Sequence, residues 1–123
     1  MGHRNVLVIQ TDELRRDSLG CYGNPIAKTP NIDKLAADGI QFDNAYTASP
    51  ICVPARASIA TGLYVHETAC WSNAQPYTGT PKSWGHVLKS AGHEVVSVGK
   101  LHFRDTADDN GFSQELMPLH VKG

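Results

Sequence analysis

A reactive side chain, a rigid turn residue and a fixed positive charge follow one another between Cys52 and Gly62. Pro54 has a pre-set φ and no N–H, which suits a first helical turn, and Gly62 suits the position after a helix end. The stretch therefore predicts a loop that becomes a short helix, with Cys52 at or just before its N-terminus. Unsatisfied N–H groups there favour negative charge, and Arg56 one turn later can bind an anionic oxygen or orient the residue at position 52. Together these residue types predict a site that handles an anion.

Two carboxylates follow the first apolar stretch of the chain. Residues 5–10 form a continuous, largely β-branched run, which predicts a buried parallel strand. Asp12 and Glu13 come directly after it, and ligands of open α/β sheets bind beyond the carboxyl ends of the strands. Adjacent carboxylates are costly to bury unless a positive group neutralises them, and a hard divalent cation with oxygen ligands would do so. The alternative is a pair of solvated residues at a strand end.

A lysine and a histidine follow a second predicted strand. Residues 94–99 read as a strand after an amphipathic helix over 82–91, and this order is typical of a parallel sheet. Lys100 is a point charge suited to a sulfate or phosphoryl oxygen. Histidine has an unperturbed pKa near neutral pH, so His102 can move a proton. Their position predicts a site at the same edge of the sheet as the carboxylates.

The pattern Cys52-x-Pro-Ala-Arg56, followed by Thr61-Gly62, resembles the signature of the sulfatase family of the alkaline-phosphatase-like superfamily. Gly99-Lys100-x-His102 is similar to a second element of that family, in the form found near its choline-sulfatase and phosphonate-monoester-hydrolase branches. The resemblance runs from about Asn5 to the C-terminus. It implies an α/β fold with a mostly parallel sheet flanked by helices, of which residues 1–123 would be the N-terminal part of the catalytic domain.

The resemblance also implies roles for individual residues. Cys52 would be oxidised to formylglycine by a formylglycine-generating enzyme that reads the Cys-x-Pro-x-Arg pattern, and its hydrated aldehyde would be the nucleophile. Arg56 and Lys100 would neutralise charge on the ester oxygens, and His102 would assist when the covalent ester collapses. Asn73 would point at the substrate anion; its alternative is a turn residue that caps its own backbone.

A divalent metal belongs to the same expectation. The family holds it with an acidic pair after the first strand, so Asp12 and Glu13, together with the modified Cys52, are the predicted ligands. Calcium is the expected ion, with manganese and magnesium as alternatives. Asp12 matches the family pattern well, whereas Glu13 departs from the residue types usual at the second position.

Two other stretches predict the elements that carry these residues. Residues 29–39 predict a helix with Thr29 as N-cap, Pro30 at the first position and Gly39 after its end. Residues 40–48 alternate partly and predict a strand that leads to the Cys52 loop. The acidic run 105–111 reads as a solvated loop, and residues 112–123 show no clear element.

Composition narrows the function classes. A net charge of −1 gives no reason for a nucleic-acid or membrane partner, and no apolar run approaches the ~20 residues of a membrane span. The start of the chain lacks the apolar core of a signal peptide, so we expect a cytoplasmic location. Three cysteines exclude a full disulfide framework, and Cys21 and Cys70 are expected to be reduced thiols. The sequence leaves open whether the chain forms an oligomer.

The sequence thus predicts a sulfuric ester hydrolase acting on a small anionic ester. Phosphate and phosphonate esters are the closest chemical alternatives. Two further hypotheses concern Cys52: it could attack directly as a thiolate, its pKa lowered at a helix N-terminus, or it could be a buried structural cysteine. Complete sulfatases are several times longer than 123 residues, so we expect this chain alone to be inactive.

Overall fold

Helices and one short parallel sheet make up the computed structural model, which describes residues 4–122. The chain divides into two units, one ending at Ala45 and the other beginning at Tyr46. The first unit holds two 3₁₀ turns, Arg16–Ser18 and Gly20–Tyr22, and one helix. The second unit holds three helices and both strands. No helix in the described part of the chain has the length and apolar character that crossing a membrane requires.

Helix α1 spans Pro30–Asp38 and confirms the prediction for this segment. Thr29 is the N-cap residue, but its hydroxyl is used differently from an ordinary cap. The Thr29 Oγ1 accepts the Gly20 N–H at 2.9 Å and donates to Asp33 Oδ1 at 2.9 Å. Asp33 Oδ1 also accepts the Cys21 N–H at 2.7 Å. These bonds fasten the second 3₁₀ turn to the first turns of α1.

The strands predicted over 5–10 and 40–48 do not form in this structure, so both predictions are wrong. Both segments have irregular backbone, and their apolar side chains are exposed: Val6 is 84% exposed, Leu7 83% and Phe42 67%. A parallel strand satisfies its N–H and C=O groups only through neighbouring strands. The sheet of the described residues pairs only the two strands of the second unit. A β-branched composition without a pairing partner does not form a strand.

Strands β1 (Val96–Lys100) and β2 (Gln114–Leu119) pair in parallel. Val96 lies opposite Gln114, and Lys100 lies opposite Leu119 after an irregularity that follows Val98. The strand predicted over 94–99 is confirmed with its start shifted by two residues. The interpretation of residues 112–123 as lacking an element is wrong, because β2 forms there by pairing with β1 although its own residues have mixed strand propensity.

The remaining helices are α2 (Cys52–Thr61), α3 (Val65–Thr68) and α4 (Trp84–Ser90). Helix α4 confirms the helix predicted over 82–91 with trimmed ends, and Ser83 is its N-cap. Two of its apolar residues, Val87 and Leu88, remain 62% and 38% exposed. The α4 face is therefore only partly covered in the second unit.

The core of the second unit lies between α2 and the segment after β1. Its buried members are Val53, Ala57, Ala60, Cys70, Tyr77 and Phe103, with Leu101 and Phe112 packed against them. The rings of Tyr77 and Phe103 meet edge to face with centroids 4.8 Å apart. Burial raises the pKa of the Tyr77 phenol, whose hydroxyl donates to the Pro81 carbonyl. The face of α2 that carries Val53, Ala57 and Ala60 is packed in this core, and this packing also holds the first turn of the helix in place.

Candidate active site

Cys52 is the first residue of α2, as the sequence predicts. Ile51 is the N-cap residue with extended backbone, and its carbonyl accepts the first helical bond, from the Ala55 N–H at 3.0 Å. The Cys52 side chain is partly buried, whereas the next residues, Val53 and Pro54, are buried completely. The thiol thus sits at the surface edge of a turn whose other residues are anchored in the core.

The C-terminal end of α2 also follows the prediction. Gly62 has φ +73°, in the left-handed region that glycine adopts without strain. Its N–H donates to the Ser58 carbonyl at 2.8 Å. This bond closes the helix after Thr61, so the length of α2 is set at both ends by local chemistry.

Asn73 contacts the first turn of α2. Its Oδ1 accepts the Val53 N–H at 3.1 Å, although the two residues are 20 positions apart. The side chain therefore acts as a distant N-cap and satisfies one of the N–H groups that a helix start leaves open. The amide oxygen is committed to the helix backbone one residue from Cys52. The sequence-based role of Asn73 on the substrate anion stays a prediction, since the bond to Val53 occupies only the oxygen.

Arg56 joins α2 to the end of β1. The residue is 8% exposed, and its Nη1 donates to the Lys100 carbonyl. A buried guanidinium needs such an acceptor because its desolvation is otherwise uncompensated. This contact fixes the spacing between the helix that begins at Cys52 and the strand that ends at Lys100. It was not foreseen from the sequence, which assigned Arg56 to anionic oxygens or to orienting the residue at 52. These roles stay predictions, since the bond to Lys100 involves Nη1 and not the whole guanidinium group.

Lys100 and His102 lie at the carboxyl end of β1, as the strand assignment predicts. Both side chains are partly buried. His102 has φ +58°, a left-handed conformation that costs a non-glycine residue free energy. Its N–H donates to the Leu119 carbonyl at 2.9 Å, and the next residue, Phe103, is only 2% exposed. The strained backbone at His102 is thus held by a bond on one side and a core ring on the other.

Asp12 and Glu13 lie in the first unit, and both are exposed. Glu13 has φ +57°, so the backbone bends sharply directly after Asp12. Carboxylate oxygens are suitable donors for calcium. However, residues 4–122 contain no group of three or more His, Cys, Asp or Glu side chains that could hold a metal ion. Asp12 and Glu13 therefore supply oxygen donors for only part of a metal site.

The other two cysteines are free thiols in different surroundings. Cys70 is buried in the core of the second unit, and this burial raises the pKa of its thiol despite a contact with Thr68. Cys21 is partly buried in the first unit, where its N–H is bound by Asp33. A raised pKa makes the Cys70 thiol a poor nucleophile, which fits a packing residue.

Sequence reasoning missed three buried or largely buried polar residues that contact one another beside β2. Asn110 and His120 are buried and Glu115 is largely so. They were overlooked because residues 105–111 read as a solvated loop and residues 112–123 as lacking an element. The only local signal was the turn-forming pair Asn110-Gly111, because residues 113–119 do not alternate in polarity.

The sulfatase family model matches residues 4–117 of this chain. A relative from Escherichia coli (strain K12), described as uncharacterized sulfatase YidJ, is 39% identical over 102 residues. That match covers 83% of this chain and 20% of the relative. A choline-sulfatase from Rhizobium meliloti (strain 1021) is 33% identical, with 94% of this chain and 22% of the relative covered.

A solved structure shows the same fold. It is described as a complex with the substrate D-glucosamine-2-N,6-O-disulfate, and it superposes with a TM-score of 0.74 at 33% identity. The match covers 80% of this chain and 20% of that chain. The chain spans about a fifth of the length of the curated relatives it matches. Its helices and small parallel sheet are a part of the alkaline-phosphatase-like α/β fold, and the chain belongs to the sulfatase family.

Proposed function

We propose that this chain carries the nucleophile of a sulfate ester hydrolase and that Cys52 is the residue converted to formylglycine. The observation that carries this proposal is the position of Cys52 at the first residue of α2 in a chain of the sulfatase family. Side-chain contacts from Asn73 and Arg56 support it, because they fix the two ends of the same helical turn.

The position of Cys52 suits both the modification and the reaction. The thiol is partly buried, so a modifying enzyme can reach it, while the turn behind it is anchored by buried Val53 and Pro54. The helix N-terminus stabilises negative charge that develops on a bound sulfate or on the group that attacks it. A nucleophile on a rigid turn stays within reach of the ester without further ordering.

The chain's own residues then divide the remaining work. When present, the aldehyde hydrate would supply one hydroxyl that attacks sulfur while the S–O bond to the alcohol breaks and the alcohol leaves. Deprotonation of its second hydroxyl would then re-form the aldehyde and expel the sulfate. Lys100 neutralises charge on the ester oxygens, and Arg56 holds the Lys100 backbone at a fixed distance from α2. His102 accepts the proton of the second hydroxyl. Asn73 keeps the first turn of α2 closed beside the nucleophile.

A divalent metal is part of the same proposal. Asp12 and Glu13 would contribute oxygen ligands, and the modified Cys52 would contribute a third. Such an ion, when bound, polarises the ester and lowers the pKa of a coordinated hydroxyl. The expected ion is calcium, as the resemblance to the sulfatase family implies, with manganese and magnesium as alternatives, since carboxylate and hydroxyl oxygens suit all three.

The substrate class is a sulfate ester. One structural relative was solved with a disulfated glucosamine, and one sequence relative is a choline-sulfatase. The two sulfated compounds differ in their alcohol parts and share only the sulfate group. The proposal therefore specifies only the S–O bond that is cleaved.

The deciding experiment is the mass of the tryptic peptide Leu35–Arg56 from chain produced in cells with a formylglycine-generating enzyme. The expected product is lighter than the cysteine form and reacts with hydrazines. Peptide Asp17–Lys28 of the same digest carries Cys21 and is an internal control that should remain an alkylatable thiol. The variant Cys52→Ala should show no hydrazine labelling.

An alkylatable thiol at Cys52 in every molecule would overturn the proposed modification. That outcome would favour the thiolate nucleophile or a structural cysteine. Hydrazine labelling of the Cys21 peptide would show that the reaction lacks site specificity, and this would also contradict the assignment.

A further inference from the structure

Three polar side chains form a buried cluster next to the second strand. We call Asn110, Glu115 and His120 the carboxylate cluster. Glu115 Oε2 lies 2.6 Å from His120 Nε2, and Glu115 Oε1 accepts from Asn110 Nδ2 at 3.0 Å. The same Asn110 nitrogen donates to the Asp105 carbonyl at 3.0 Å. The side chains of His120 and Glu115 are 2% and 13% exposed.

The carboxylate cluster lies against the segment that carries His102. The N–H of His102 donates to the Leu119 carbonyl at 2.9 Å, and the N–H of Val121 donates to the Phe103 carbonyl at 2.8 Å. His120 is the residue between these two bonds, and its ring centroid lies 6.3 Å from that of Phe103. Fixing His120 therefore fixes the backbone on both sides of His102.

Glu115 is the centre of the cluster because both of its oxygens face an N–H group. A buried carboxylate is costly unless it is hydrogen-bonded, and here each oxygen of Glu115 has a partner. Among residues 4–122, Nδ1 of His120 has no hydrogen-bond partner, so the ring is held through Nε2. Loss of the Glu115 contact would free the His120 ring. It would thereby loosen the two backbone hydrogen bonds that flank His120 in the chain.

We propose that Glu115, acting through His120 and Asn110, is a positioning residue that holds His102 in its left-handed conformation. A non-glycine residue at φ +58° reverts to an ordinary conformation unless its surroundings hold it. The cluster supplies that restraint from the strand side, and Phe103 supplies it from the core. The importance of this restraint for catalysis rests on the proposed function, in which His102 moves a proton.

The first test is Glu115→Gln in the full chain, studied by NMR. Glutamine has one acceptor oxygen and one NH₂ group, so it cannot accept from both His120 and Asn110. We expect hydrogen exchange of the His102 and Val121 amides to accelerate about tenfold or more. The ring signals of His102 should also shift or broaden, because the ring loses its fixed direction.

The matched control is Glu94→Gln. Glu94 is an exposed carboxylate before β1 that accepts from Gln114 Nε2 at 3.2 Å. Its replacement should leave exchange at His102 and Val121 unchanged, together with the His102 ring signals. A second pair of variants reads the His120 contact: His120→Gln keeps an N–H donor, whereas His120→Met keeps the size without a donor. In His120→Gln the ring signals of His102 should stay as in the parent chain. In His120→Met they should shift or broaden.

Two results would overturn the proposal. One is a Glu115→Gln variant in which exchange and the ring signals of His102 are unchanged, or in which all amides of the second unit exchange faster by the same factor. The other is identical behaviour of His120→Gln and His120→Met, which also decides the matter if Glu115→Gln does not fold. None of these measurements depends on Cys52, so a cysteine that stays unmodified leaves the proposal about Glu115 separately testable.

Discussion

At the scale of single residues, the site is built from side chains that bind backbone. Arg56 donates to the carbonyl of Lys100, and Asn73 accepts from the N–H of Val53. Both contacts link residues far apart in the chain, and both lie within one turn of Cys52. The residue types predict an anion site, whereas the contacts show how the anion-binding groups are kept in place.

Arg56→Lys should destabilise the chain. Lysine is a flexible point charge and cannot reproduce the guanidinium bond to the Lys100 carbonyl from a buried position. We expect the free energy of unfolding to fall by about 1.5–3 kcal/mol, the range for a lost hydrogen bond to a charged group. Urea denaturation followed by circular dichroism measures it. Arg15→Lys, at an exposed ion pair with Asp17, is the control and should change the free energy little. Equal losses in the two variants would contradict the assignment.

Asp109 should make stability depend on pH. The N–H of Gly111 donates to Asp109 Oδ1 at 3.2 Å, and this bond, assisted by Lys89 and His86, holds the pKa of the Asp109 carboxyl below its usual range. A lowered pKa in the folded state stabilises the protein above the ordinary aspartate pKa of 3.8, and this stabilisation is lost as the pH falls through the folded value.

Asp109→Asn should therefore be less stable than the parent chain at pH 7. The difference should disappear once the pH lies well below the usual aspartate range, where both states bind the proton. Urea denaturation at a series of pH values measures it. A difference of the same size at all pH values would show that the charge of Asp109 is not involved.

At the scale of elements, helix α2 is the part that organises the site. Its start is capped from a distant loop, its end is closed by Gly62, and its inner face is buried in the core. Helix starts leave N–H groups that must find acceptors. Here a loop residue supplies one, so the conformation of the loop and the position of Cys52 depend on each other.

Asn73→Ala should weaken α2 by about 1 kcal/mol, the usual cost of losing an N-cap side chain. Asn73→Asp is the matched control: it keeps an oxygen acceptor and adds a negative charge that the helix N-terminus favours. We expect the aspartate variant to be as stable as the parent chain. Thermal denaturation at one pH compares the three proteins. If both variants lost stability equally, the bond to Val53 would not be what the side chain contributes.

At the scale of the whole molecule, the chain covers about a fifth of the length of its relatives. Apolar side chains that the sequence assigns to buried strands, such as Val6 and Leu7, are exposed in the first unit. The described residues also supply only part of a metal site. With these three observations in view, we expect the chemistry proposed for Cys52 to need groups in addition to those described.

We therefore predict that the isolated chain releases no detectable alcohol from an aryl sulfate, even when Cys52 is converted to formylglycine. An ester held without a complete metal site lacks the charge neutralisation that its transition state needs. A colorimetric assay of the released aryl alcohol, with calcium added, measures it. Hydrolysis that is lost in Cys52→Ala but present in the parent chain would contradict this prediction.

The sequence by itself determined the elements whose signals are local. The helix that begins at Cys52 and ends before Gly62, the helix after Thr29 and the strand that leads to Lys100 follow from proline, glycine and apolar patterning. The family followed from the Cys52 pattern and from Lys100 with His102, because these residues at these spacings resemble two signature elements of the family.

Tertiary structure alone decided whatever depends on a partner far along the chain. Residues 5–10 have strand composition but no pairing strand among residues 4–122. Gln114–Leu119 lacks a strand signal and is a strand because β1 lies beside it. The Asn73 cap and the carboxylate cluster likewise join residues from separate segments. Hydrogen bonds between strands and between buried side chains are set by position in space, and neither propensity nor periodicity along the chain encodes that position.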